Sequence, residues 1–192
     1  MSAVDLSGTI ALVAVGLLTV NLLFGLLLSV GYNPVRQWPR RRFKLFKFHN
    51  WTGYIALTAA ALHAAILLFS SSPRFRVMDV LLPFWSPAQP KSNTLGAIAL
   101  YLVAVVVITS YYRSALGRHR WKTIHYTTYA AAAVFFVHGA IADPALEGRA
   151  VDFLDGEKLY VEACAVVVAV VTAWRIHHRR ARRRAERLLK QS

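Results

Sequence analysis

Apolar residues along the chain gather into long, nearly uncharged runs that are separated by polar and basic stretches. A bilayer core about 30 Å thick needs roughly 20 apolar residues in a helix. Only helices suit such runs in lipid, because each backbone polar group is then bonded within its own segment. The sequence therefore predicts an all-α integral membrane bundle of about five transmembrane helices, at residues 8–31, 50–70, 95–112, 123–142 and 159–176.

Basic residues lie in the connections between the runs, and this distribution predicts the orientation of the bundle. Of the 23 Lys and Arg residues, 18 fall in 32–48, 113–122 and 175–190. Basic loops stay on the cytoplasmic side, so we expect the N-terminus outside, the C-terminus inside and a cytoplasmic tail at 177–192. The net charge of +14 then reflects topology, and we expect a lipid bilayer and no nucleic acid as partner. We treat residues 1–192 as one domain in the plasma (inner) membrane.

Two outer connections and one cysteine add little chemistry. Residues 71–94 hold four prolines and an apolar, aromatic middle that is too short to cross, so we expect a lid or an interfacial connector. Residues 143–158 are acidic and are interpreted as a solvated loop. Cys164 lies in an apolar run without a second cysteine and is expected to be a small core residue.

Four of the seven histidines lie in the predicted spans and form two matched pairs. His49 begins the second span and His63 lies deep within it, and His125 and His138 take the same places in the fourth span. Ionisable groups inside a membrane are costly and usually functional. Spans two and four are parallel, so each inner histidine faces an inner one and each outer histidine an outer one. The other three, His119, His177 and His178, lie in basic segments and are expected at the surface.

Two imidazoles at each of two levels fit the axial positions of two six-coordinate haems. The levels lie about 21 Å apart along a helix, at 1.5 Å per residue. Zinc prefers four ligands, and neither span offers Asp, Glu or Cys nearby, which also disfavours a proton relay or a di-iron carboxylate site. We therefore expect two haems b, with His49 and His125 on the inner iron and His63 and His138 on the outer iron.

The spacing of the second pair conflicts with an ideal helix. At about 100° per residue, a spacing of 14 returns to within about 40° of the same face, whereas a spacing of 13 lands about 140° away. His49 and His63 therefore share a face, but His125 and His138 do so only if the helix tightens toward 3₁₀ geometry or begins irregularly. We predict a distortion between the last two.

Small and basic residues near the histidines are further candidates for cofactor contact. Gly53, one turn after His49, would allow a flat ring to approach, although small residues also serve ordinary packing in membranes. Arg120, just before His125 along the chain, is a candidate partner for a haem propionate. Other basic candidates, chosen by location, are Arg42, Lys47, Arg118 and Lys122 on the inner side and Arg74, Arg76 and Lys91 on the outer side.

Three stretches resemble the ferric reductase-like transmembrane domain, the family of NADPH oxidases, ferric reductases and the haem subunit of the methionine sulfoxide reductase system. They are His49-Asn50-Trp51-Thr52-Gly53-Tyr54 through Leu62-His63, Leu95-Gly96 through Thr109-Ser110, and Arg120-Trp121-Lys122-Thr123-Ile124-His125-Tyr126 through Val137-His138-Gly139. The resemblance covers about residues 40–143. It implies haem b ligation by the four histidines and electron transfer from the cytoplasmic to the outer side, and it adds Trp121 to the cofactor-binding candidates.

These observations lead us to expect the haem-bearing subunit of an oxidoreductase. We expect no counterpart of the flavin and nicotinamide domain of larger relatives after the last span, so the expected donor is a separate flavoprotein reductase, a bound FMN or FAD, or quinol. The acceptor would be a ferric chelate, oxygen or a periplasmic redox protein. Two alternatives stay open, namely a quinone-linked superoxide or quinol oxidoreductase and a non-enzymatic assembly or anchoring protein.

Overall fold

A computed structural model describes residues 2–31, 44–143 and 152–189, and these residues form helices and no strand. The predicted all-α membrane bundle is confirmed, whereas the orientation of its termini stays a prediction. The α-helices, in chain order, are α1 (Ala3–Val30), α2 (Leu45–Ile66), α3 (Val77–Leu81), α4 (Pro90–Tyr111), α5 (Arg113–Leu116), α6 (Arg118–His125), α7 (Thr128–Ile141) and α8 (Gly156–Leu189).

The first helix is longer than the predicted run because its ends are capped. Ser2 Oγ accepts a hydrogen bond from the Asp5 N–H, and the Ser2 N–H donates to Asp5 Oδ2, so α1 starts with a capping box. Gly31 ends the helix at φ 70°, in the left-handed region that glycine adopts without strain.

Four of the five predicted spans are continuous helices that are long and apolar enough to cross a membrane. Among the described residues they cover Ala3–Val30, Leu45–Phe69, Pro90–Tyr111 and Gly156–Arg182. The last one continues as a single helix to Leu189, so the basic tail extends it as far as the structure describes it.

The remaining predicted span, 123–142, is divided into two helices. α6 ends at His125 and α7 begins at Thr128. Between them the Thr127 N–H donates to the Ile124 carbonyl (2.9 Å) and the Tyr129 N–H to that of Tyr126 (3.2 Å), which are i→i−3 bonds of 3₁₀ type. The predicted distortion is therefore confirmed. α7 has 14 residues, about 21 Å of helix, which is less than a bilayer core needs.

The outer connection between α2 and α4 is built from short helical pieces. α3 is followed by a 3₁₀ turn at Pro83–Trp85, and the Tyr101 hydroxyl of α4 donates to the Leu81 carbonyl. Most of its large apolar side chains are exposed, Trp85 at 85%, whereas Phe75 is buried. An interfacial position of this segment stays a prediction.

The long helices form two antiparallel hairpins, α1 with α2 and α4 with α6 and α7, and α8 packs along α1 and α7. A buried cluster joins them at mid-height, between the two histidine levels along α7. Cys164 packs against this cluster, which confirms its place in the core. The cluster consists of Val15, Ala99, Ala132, Phe135 and Val161.

Candidate functional site

Two pairs of imidazoles face each other across the gap between the hairpins. The ring centroids of His49 and His125 lie 6.2 Å apart, and those of His63 and His138 lie 6.4 Å apart. We call these the inner pair and the outer pair, after the predicted orientation. The pairing expected from parallel helices is thus found in the structure, although the ligand role of the four residues stays a prediction.

Helix α1 orients both histidines of α2 through their Nδ1 atoms. His63 Nδ1 lies 2.9 Å from the Ser7 carbonyl oxygen, and His49 Nδ1 lies 3.0 Å from the Asn21 carbonyl oxygen. A carbonyl only accepts, so Nδ1 carries the proton and Nε2 keeps its lone pair. The Ser7 hydroxyl donates to the His63 carbonyl, and Asn21 Nδ2 donates to the His49 carbonyl, which fixes the backbone of each histidine as well.

Helix α4 orients the other two histidines in the same manner, but less evenly. His138 Nδ1 donates to the Ser92 carbonyl at 2.9 Å and lies 3.3 Å from its hydroxyl. His125 Nδ1 contacts only the Ser110 hydroxyl among the hydrogen bonds of the described residues, at 3.3 Å. A hydroxyl both donates and accepts, so it does not by itself fix the tautomer of His125.

Trp121 lies directly beside the inner pair. Its ring centroid is 5.1 Å from that of His125, with an angle of 32° between the rings. Its Nε1 donates to the Ser110 hydroxyl at 3.2 Å, so Trp121, Ser110 and His125 form one hydrogen-bonded chain. The structure thus places Trp121 where it touches a candidate ligand, whereas its contact with a cofactor stays a prediction.

Two glycines that the sequence argument did not single out lie against the histidines. A Cβ on Gly96 would stand 2.8 Å from His138 Cε1 and 2.9 Å from Nε2, and one on Gly25 would stand 3.2 Å from His49 Cε1. Each glycine follows an orienting residue by four positions, Ser92 in α4 and Asn21 in α1, so it lies on the same helix face.

Gly53, the glycine predicted to admit a flat ring, packs elsewhere. Its nearest side chain is Asn21 of α1, at 3.3 Å from an ideal Cβ, so it serves the α1–α2 contact in this structure. The predicted basic partners are exposed where the structure describes them, and Arg120 lies on the outward side of α6. These exposed residues are Lys47, Arg74, Arg76, Lys91, Arg118, Arg120 and Lys122, and Arg42 lies outside the described residues.

A cavity adjoins the outer pair and reaches the outer connection. His63, His138 and Phe135 line it toward the bundle, and polar residues line its outer end. Gln89 at the start of α4 exchanges two hydrogen bonds with the backbone of Asp143, each 2.8 Å, which ties the end of the α7 segment to α4. The polar residues at that end are Asp79, Gln89, Asn93, Asp143, Glu157 and Lys158.

The orienting residues were the main omission of the sequence argument. Ser7 and Asn21 stand 14 positions apart on α1, the same spacing as His49 and His63 on the antiparallel α2. One signal could have identified them. They are polar residues inside an apolar run, and their spacing equals that of the histidine pair on the neighbouring helix.

The comparisons with known proteins give one match. The family profile described as "Ferric reductase like transmembrane component" matches residues 8–136. This range includes α1, which the resemblance drawn from 40–143 left out, and it ends two residues before His138. No curated protein and no solved structure matches the chain. Since the profile covers well over half of the chain and the helices place its histidines in facing pairs, the protein belongs to the ferric reductase-like transmembrane component family, a family of membrane redox components.

Proposed function

We propose that the protein is a di-haem b electron conduit, in which the inner pair and the outer pair each hold one haem iron. The observation that carries the proposal is the centroid separation of 6.2 Å and 6.4 Å at two levels. Two imidazoles that would hold one iron between them, each through a metal–nitrogen bond of about 2.0 Å, would have ring centroids about 6 Å apart. Both pairs therefore have the separation that an iron between the rings requires.

The hydrogen bonds at Nδ1 support the same assignment. Histidines that bind metals almost always donate their other ring N–H to a carbonyl, a carboxylate or water, which fixes the tautomer and the ring direction. Here Ser7, Asn21 and Ser92 supply backbone carbonyls to three of the four rings. The same bonds leave Nε2 of each ring available as a ligand.

The chain contributes oriented imidazoles and an apolar environment to the redox chemistry. A bound haem supplies an iron that takes up and releases one electron at a time. The four histidines hold the two levels about 21 Å apart, measured as 14 residues of α2. The buried cluster around Phe135 surrounds the outer pair with apolar side chains, several of which line the cavity beside it.

The direction of transfer follows from the proposed topology, with the C-terminus inside a plasma (inner) membrane. Electrons enter at the inner pair from a separate flavoprotein, a bound flavin or quinol. They leave from the outer pair to a ferric chelate, oxygen or a periplasmic redox protein. In this scheme the protein is the haem-bearing subunit of an oxidoreductase.

The test is a reduced-minus-oxidised spectrum with haem stoichiometry on the purified protein and on His63→Ala and His138→Ala. We expect about two haems b per chain, and each variant should lose about half of the haem. His119→Ala, an exposed histidine of α6, is the matched control and should retain both haems. Full haem retention in both outer-pair variants would contradict the proposal.

Two outcomes would favour the alternatives. A colourless pure protein would indicate an assembly or anchoring protein whose histidines are structural. A shift of the haem spectrum on addition of a quinone analogue would favour a quinone-linked oxidoreductase with the same two haem levels.

A further inference from the structure

Lys158 is a buried cation at the start of the apolar helix α8. Its side chain is only 5% exposed. Its Nζ donates to the Gly139 carbonyl at 3.1 Å and also to the Ala142 carbonyl. These carbonyls end α7, the helix that carries His138, and cations favour the C-terminal ends of helices. Lys158 therefore holds the end of the helix next to an outer-pair ligand.

The same lysine lines the cavity that His63 and His138 line. A charge shielded from water is screened far less than an exposed one. Three acidic residues also line this cavity. Glu157 is exposed, whereas Asp79 and Asp143 are half-buried. At the inner pair, Lys47, Arg120 and Lys122 are exposed, whereas Arg175 of α8 is half-buried and donates to the Tyr129 hydroxyl, one turn after His125.

We infer that Lys158 is a positioning residue for the outer pair, and that its buried charge raises the midpoint potential of the outer haem above the value that the same site would have without it. The inference rests on the proposed function. Reduction adds an electron to the haem, so a nearby positive charge stabilises the reduced form. A rise in the outer potential favours electron transfer from the inner level, in the direction of the proposed transfer.

The experiment is a redox titration in two single-haem backgrounds. His49→Ala leaves the outer haem, and His63→Ala leaves the inner haem. In the outer-haem background, Lys158→Gln should lower the ratio of reduced to oxidised haem at a fixed ambient potential by about tenfold, a midpoint shift of about 59 mV for one electron. Lys158→Arg should restore the ratio. In the inner-haem background, Lys158→Gln should leave it within about twofold.

The glutamine variant removes the charge and keeps N–H donors, whereas the arginine variant keeps both, so the two variants together separate charge from capping. An unchanged potential of the outer haem in Lys158→Gln, or an equal shift in both backgrounds, would overturn the inference. Asp143→Asn provides a second test that keeps Lys158 in place, because removal of a negative charge should raise the outer potential, and no rise would also overturn it. Loss of all haem from the His49→Ala protein would instead overturn the proposed two-site function.

Discussion

The outer pair and the inner pair orient their imidazoles with different kinds of acceptor. Both outer rings donate Nδ1–H to backbone carbonyls, those of Ser7 and Ser92, at 2.9 Å. Of the inner rings, His49 has the Asn21 carbonyl at 3.0 Å, whereas within the described part of the chain the Nδ1 partner of His125 is the Ser110 hydroxyl. A backbone carbonyl in a helix neither rotates nor donates, whereas a hydroxyl does both. The outer pair is therefore oriented by the fold itself, and the inner pair depends partly on side chains.

The two ends of the bundle also differ in how firmly the ligand helix is held. At the outer end, Lys158 caps the carbonyls that end α7, and the paired bonds between Gln89 and Asp143 tie the following residue to α4. At the inner end, His125 sits on the short helix α6, which is separated from α7 by 3₁₀-type turns. His138 therefore lies near a capped helix end, whereas His125 lies beside a break between two helices.

The largest effect is expected from a methyl group at Gly96. Its Cβ would stand 2.8 Å from His138 Cε1, and the ring cannot turn away without losing its bonds to Ser92. Overpacking of this kind costs about 1–3 kcal/mol. Gly96→Ala should therefore lose most of the outer haem, measured as haem per chain. Gly25→Ala is the matched control at the inner pair, where the contact of 3.2 Å needs only a small shift of the His49 ring. Equal haem loss in both variants would contradict the expected difference between the outer and inner pairs.

An intermediate effect is expected from the loss of the Ser110 hydroxyl. Ser110→Ala removes the Nδ1 partner of His125, and loss of such a partner typically lowers metal-site affinity by about 10–100-fold. Ser92→Ala should change affinity far less, because the carbonyl still accepts from His138. Haem titration of the two apo-proteins would measure the difference. A greater loss of haem affinity in Ser92→Ala than in Ser110→Ala would contradict the expectation that the inner pair depends more on side chains than the outer pair.

The smallest effect is expected from Trp121→Phe. Phenylalanine keeps an aromatic face beside His125 but removes the N–H that donates to Ser110. The net value of one such hydrogen bond is about 1 kcal/mol, which corresponds to about fivefold weaker binding of the inner haem. Trp174→Phe, at a tryptophan that stacks on His178 in the basic tail, serves as control and should be neutral in the same titration. Weaker binding of the outer haem in Trp121→Phe would argue against this chain of contacts.

Features of the fold that depend on the residue pattern within one segment of the chain were predictable from the sequence. The apolar runs indicated the membrane helices, and the 13-residue spacing of His125 and His138 indicated a break, which the structure places at 126–127. The five continuous spans did not all form, because this same break shortens the fourth one. The pairing of the histidines followed from the parallel direction of the two helices that carry them. That direction is known once the membrane crossings between the two helices are counted.

The parts that depend on which helix faces which were not predictable in the same way. Ser7 and Ser92 are ordinary polar residues until α1 and α4 pack against the histidine helices. Gly53 looked suited to a flat ring, yet its face turns toward Asn21. Lys158 was indistinguishable from other outer basic residues in the sequence, because burial depends on the packing of α8 against α7.

The junction between α6 and α7 has a consequence for how a partner could reach the inner pair. Residues Arg118–His125 form a separate eight-residue helix, so His125 is carried by a helix that 3₁₀-type turns separate from α7. Its cationic side chains face outward. Under the proposed function, a protein that docks on these side chains would contact the helix that carries a ligand of the inner haem, so docking would shift the position of that ligand.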